Sequence, residues 1–174
     1  MLKLILLALV AFIGLPTGVF LSYFTKEELP TGAKIFLPSL HVLISIIFFV
    51  FIYSMNNNIV ISLATGILAA IASFILRRHT SINVFYATCY LAFGITSFFA
   101  VKESIASLFM SFVFLFGLPG GSLIGKKELD ENKKKIKKLR IISFFGLFQK
   151  TARLLILCAA SYLTPIICFY LTLK

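Results

Sequence analysis

The chain has 174 residues, 60% of them hydrophobic and only 13% charged, with 20 phenylalanines and a net charge of +11. That much apolar surface cannot be hidden inside one small water-soluble core, which excludes an ordinary soluble domain and leaves the bilayer as solvent. The apolar residues fall in runs of spanning length and lack the period of two of a membrane β-barrel, so the expected fold is an all-α integral membrane protein.

Six transmembrane helices are predicted at 2–24, 37–55, 59–76, 82–101, 105–124 and 154–173, forming one polytopic membrane domain over 1–174. The opening "MLKLILLALVAFIG" starts like a signal peptide but lacks a small-x-small cleavage pattern, and reads as an uncleaved first helix. Polar joints at Asn56–Asn58, Arg77–Ser81 and Lys102–Ser104 are short, which predicts antiparallel hairpins. The long connection 125–153 contains "KKELDENKKKIKKLR", whose acids precede its lysines, an order that suits a helix. Ile141–Phe148 follows and is expected to lie in the membrane interface as an amphipathic elbow.

Charge sets the expected orientation. One face collects Lys26, Lys34, Arg77, Arg78, Lys126, Lys127, Lys133, Lys134, Lys135, Lys137, Lys138, Arg140, Lys150 and Arg153, against Lys3, Lys102 and Lys174 on the other. The positive-inside rule then puts both termini on the non-cytoplasmic side and the basic loop in the cytoplasm, most naturally at the cell membrane. Arg77, Arg78 and the run Lys133, Lys134, Lys135, Lys137, Lys138 and Arg140 are candidates for binding anionic lipid or a protein partner. Nothing resembling an RNA-binding module accompanies these lysines, so nucleic acid is not expected as a partner.

A phrase is written twice, as Gly14-Leu15-Pro16-Thr17-Gly18 and Gly117-Leu118-Pro119-Gly120-Gly121, 103 residues apart. Each proline removes a backbone donor and should kink its helix, with the freed groups satisfied by a neighbour or by a side chain such as Thr17 or Ser122. Gly14, Pro16, Gly18, Gly117, Pro119, Gly120 and Gly121 therefore either line a cavity between facing kinks or let helices approach closely; the packing reading is preferred. Ser62, Thr65, Gly66, Ala69, Ala70 and Ser73 share one face of the third span, and Thr88, Cys89 and Ala92 form a similar set in the fourth, again read as packing.

The acidic residues all sit in loops or at span ends, so the intramembrane carboxylate of a proton-coupled pump is missing. No metal-ligand cluster stands out, no cofactor is expected, and Cys89, Cys158 and Cys168 read as packing residues. His41 is placed to meet Glu27 or Glu28 at the interface. The favoured function is a non-catalytic subunit or scaffold of a membrane complex, with an integral membrane partner or a second copy of the chain. The alternatives are a small-solute or lipid transporter framed by the kinked helices, and a lipid-modifying enzyme using His41, Glu27 and Glu28.

Overall fold

The computed structural model describes residues 2–25, 29–102, 105–135 and 143–172, with side chains placed for 6–25, 29–97, 99, 105–130 and 151–168. These residues form six helices: α1 (Leu2–Phe24), α2 (Leu29–Asn56), α3 (Ile59–His79), α4 (Ile82–Lys102), α5 (Ala106–Lys135) and α6 (Ser143–Thr172). Among the described residues there is no strand. Five of the helices are long and apolar enough to cross a membrane, while α4 contributes a shorter apolar stretch over Ile82–Ser97.

Four boundaries differ from expectation. The second helix begins at Leu29 rather than 37, because Pro30 sits in the first turn, where its missing N–H is unpaired anyway, and the helix continues through Pro38. The third extends to His79, taking Arg77 and Arg78 into its last turn, where cations oppose the negative end of the helix dipole. The long connection is helical where it is described, as the order of its acids and lysines suited: α5 continues to Lys135, and Ser143–Phe148 forms the first turns of α6, while Ile141 and Ile142 of the expected elbow lie outside the described residues. Between Phe148 and Leu154 no proline or glycine interrupts the chain, so a helix started at Ser143 propagates.

The α2–α3 joint is fully specified. Asn57 takes a left-handed φ of 47°, and Asn58 caps α3 by accepting from the backbone N–H groups of Val60 and Ile61 at 3.0 and 3.2 Å. Such a two-donor cap satisfies groups that have no helical partner, which matters more in lipid than in water.

The central helix is α5. It lies along α1 and also touches α2, α4 and α6, whereas α3 rests mainly on α2, and α6 on α4. The core is aromatic: Phe85, Tyr86, Tyr90, Phe93, Phe109, Phe116 and Tyr162 are each at most 1% exposed. Their rings meet edge to face, as Phe93 and Phe116 do at 5.0 Å and 84°. Helix α3 is peripheral, with Ser62, Gly66 and Ser73 buried and Ile59, Val60, Leu68 and Phe74 exposed.

The α1–α5 contact places the repeated phrases against each other. The helices run parallel, and a methyl group at Gly14 would strike the Phe114 carbonyl, at Gly18 the Leu118 carbonyl, at Gly121 the Leu15 carbonyl and at Gly125 the Ser22 hydroxyl. The Gly18–Leu118 and Gly121–Leu15 contacts exchange under the 103-residue offset, so the two helices meet as a local twofold pair of small-xxx-small faces. Ser122 adds a cross-link, its hydroxyl lying 3.2 Å from the Gly18 carbonyl and 3.0 Å from that of Leu118.

Backbone has nowhere to move at this contact, so Gly121→Leu should cost at least about 3 kcal/mol, the upper end for overpacking. Gly32→Ala meets only the tip of the Phe36 ring at 3.2 Å and should stay within about 1 kcal/mol of the parent. Thermal unfolding in detergent, followed by loss of the monodisperse species, reads both; equal midpoints for the two variants would refute the tight contact.

Candidate functional site

Because successive helices alternate in direction, the start of α2, the end of α3, the start of α4 and the far part of α5 share one end of the bundle. A cavity of about 550 Å³ opens there, lined by Pro30, Ala33, Lys34 and Leu37 of α2, Arg77 of α3, Ile82 of α4, and Leu123, Lys126, Lys127 and Asp130 of α5. Among the described side chains, four cations from three helices thus surround one space with a single carboxylate. Arg77 holds its guanidinium carbon 6.0 Å from the Phe85 ring centroid, a cation–π distance that fixes the arginine at the inner wall.

Directly beneath lies His41. Its Nδ1 is 2.7 Å from the Ser73 hydroxyl, and that hydroxyl donates to the Ala70 carbonyl at 2.8 Å. With its proton committed, Ser73 acts as acceptor, which assigns the ring proton to Nδ1. The imidazole also meets the rings of Phe74 and Phe85 edge-on at 5.7 and 6.4 Å. His41 therefore ties α2 to α3; Glu27 and Glu28, its expected partners, lie outside the described residues.

A second cavity, about 510 Å³, runs down between α2, α3 and α4, lined by Ile44 and Phe48, by Thr65, Leu68, Ala69, Ala72, Ser73 and Leu76, and by Thr88, Cys89, Ala92 and Phe93. Thr65, Ala69 and Ser73 of the third span and Thr88, Cys89 and Ala92 of the fourth thus flank an open groove, while Gly66 of the same stripe meets α2 closely, as the packing reading expected. The reason is local: a methyl at Gly66 would lie 2.9 Å from the Ser45 carbonyl, so α3 is drawn onto α2 and away from α4.

The glycines and prolines of the repeated phrase line neither of these cavities. Pro16 stands two residues from Gly14 and from Gly18, about 200° around the helix, and so projects away from the α1–α5 contact; Pro119 bears the same relation to Gly117 and Gly121. Thr17 donates to the Ile13 carbonyl at 2.8 Å, and Ser122 to those of Leu118 and Gly18, so neither hydroxyl takes the Phe12 or Leu115 carbonyl that the prolines release. Before Gly14 the two helices part, leaving an apolar cleft of about 360 Å³ lined by Leu7, Val10, Ala11, Ser107, Met110, Ser111, Phe114 and Leu115. The Gly14–Phe114 contact closes its inner end.

Of the cationic candidates, Arg77 lines the basic cavity and Arg78 is exposed beside it. Lys133, Lys134 and Lys135 are in the last turn of α5, beyond the placed side chains, and Lys137, Lys138 and Arg140 fall outside the described residues. Sequence reasoning counted Lys34, Lys126 and Lys127 only as topological charge. Their convergence depends on the early start of α2 and the helical continuation of α5, for which the heptad-like spacing of Leu123, Lys126, Lys127 and Asp130 was the available signal.

Elsewhere the core holds polar atoms without catalytic order. Tyr162 donates to the Met110 sulfur at 2.8 Å and lies 3.4 Å from the Ser97 hydroxyl. The Tyr86 and Tyr90 hydroxyls have no hydrogen-bond partner among the described residues. No group of three or more His, Cys, Asp or Glu side chains able to hold a metal occurs among those residues.

An orphaned buried hydroxyl costs about 1–3 kcal/mol, so Tyr86→Phe and Tyr90→Phe, which keep the rings, should each raise stability by about 1 kcal/mol. Tyr162→Phe should lower it by a similar amount. Thermal midpoints in detergent give the signs directly, and a lower midpoint for both Tyr86→Phe and Tyr90→Phe would contradict their orphan state. No protein-family model, curated protein or solved structure matches this chain, so its own geometry carries the functional reading.

Proposed function

We propose that the chain is a non-catalytic multi-pass membrane subunit that anchors a membrane complex and holds anionic phosphate groups at its basic end. Six helices cross the bilayer in this reading, with both termini outside and the basic end in the cytoplasm, as the asymmetry of lysine and arginine favours. The carrying observation is the convergence of Lys34, Arg77, Lys126 and Lys127 on one cavity at a single end of the bundle. Arginine offers a flat fork of donors that matches phosphate oxygens, and lysines add mobile positive charge around it.

Transport framed by the two repeated phrases finds less support, because the glycine faces meet backbone to backbone and the cleft before Gly14 is closed at its inner end. A lipid-modifying reaction at His41 finds little, because the imidazole is engaged with Ser73 between two aromatic rings.

Extraction of the tagged protein from its native membrane into a lipid-preserving polymer, with mass spectrometry of what accompanies it, tests the proposal. A stoichiometric membrane partner together with enriched anionic lipid is expected; a solitary chain carrying lipid in bulk proportion would overturn it. At roughly 1 kcal/mol per cation near the surface, Arg77→Gln and Lys126→Gln should each weaken anionic-lipid retention about fivefold.

A further inference from the structure

We propose that a single anionic diacyl phospholipid binds across the two cavities, its phosphate at Arg77 in the basic pocket and one acyl chain along α3 in the groove between α2, α3 and α4. The inference rests on the proposed role of the basic end and adds the ligand and its pose. Thr65, Ala69, Ser73 and Arg77 recur every fourth residue and so share one face of α3. Thr65, Ala69 and Ser73 line the apolar groove, and Arg77 lines the basic cavity. One helical face therefore passes from an apolar trough into a cationic pocket, the order of a phospholipid read from tail to head.

Dimensions agree. At about 1.5 Å per residue, Thr65 to Leu76 spans about 16 Å, close to the half of the roughly 30 Å hydrocarbon core that belongs to one leaflet. The trough ends where the charge begins, since Leu76 lines the groove and the next residue is Arg77. Its walls are fixed on one side: the His41–Ser73 hydrogen bond and the seating of Gly66 on Ser45 hold α3 against α2, so the gap toward α4 persists. Charge selects the headgroup. With Lys34, Lys126 and Lys127 around Arg77, and Asp130 the one carboxylate that lines the cavity among the described side chains, a net-anionic phosphate fits, whereas a zwitterionic headgroup would bring a further cation into a cationic space.

The test is native mass spectrometry of the full-length chain, delipidated and titrated with phosphatidylglycerol, phosphatidylcholine or soluble glycerol phosphate. Phosphatidylglycerol should bind with one-to-one stoichiometry and at least about tenfold more tightly than either other probe. Arg77→Gln should weaken it about fivefold. Ala69→Leu with Ala92→Leu, which fills the groove, should weaken phosphatidylglycerol by a similar factor while leaving glycerol phosphate binding unchanged. Ile156→Ala, on the exposed side of α6, serves as a control without effect.

If phosphatidylglycerol and phosphatidylcholine bind alike, the basic end does not select anions and both readings fail. If glycerol phosphate binds the unmutated chain as tightly as the intact lipid, the pocket takes a free phosphate, the acyl-chain site is refuted and the role of the basic end survives. That comparison needs no variant to fold.

Discussion

Everything else in the bundle is arranged around the backbone-to-backbone approach of α1 and α5. In lipid there is no hydrophobic gain from bringing two apolar helices together, so association rests on close van der Waals fit and on hydrogen bonds such as that from Ser122 to Gly18. Glycines at 14, 18, 117, 121 and 125 supply that fit over successive turns. Once α5 is held by α1 on one side, its remaining surface receives α2 and α4, and those two in turn carry α3 and α6. The phenylalanines and tyrosines fill the space that the small residues leave between more distant helices.

The all-helical class and most helix positions were legible because apolar run length and polar joints are local properties; of the expected hairpins, α2 and α3 pack closely, whereas α3 and α4 barely touch. The N-terminal extension of α2 was not anticipated, although Pro30 stands where a helix tolerates proline and Pro38 is accommodated inside the helix. The repeated GLPxG phrase was visible, and so was its parallel direction. What sequence could not supply was that the two copies touch each other, since helix pairing in a bundle depends on which faces remain after all others have packed. The same holds for the small residues of α3: a face spaced for close packing was recognised, yet only one edge of it meets a helix, and the other borders the groove.

The proposed function rests on the place where charge and cavity coincide. Lys34, Arg77, Lys126 and Lys127 are far apart along the chain and belong to helices that approach one another only at one end. His41 and Ser73 sit just below this cluster and join the two helices that form one wall of the groove. A polar pair at that depth keeps its hydrogen bond in a medium with few competing partners, which gives the wall a defined position without adding charge to the interior.

The order of synthesis gives the α1–α5 contact a further meaning. Ribosomes complete α1 about 100 residues before the complementary face of α5 has been made, a delay of roughly 5–20 s at ordinary elongation rates. Throughout that interval the glycine face of α1 has no matching face of its own α5 to meet. Since α1 and α5 carry nearly the same face in the same direction, two nascent copies of α1 from neighbouring ribosomes can pair with each other in place of their own α5. Pairing inside one molecule therefore requires that the α1 face still be free when the matching face of its own α5 arrives.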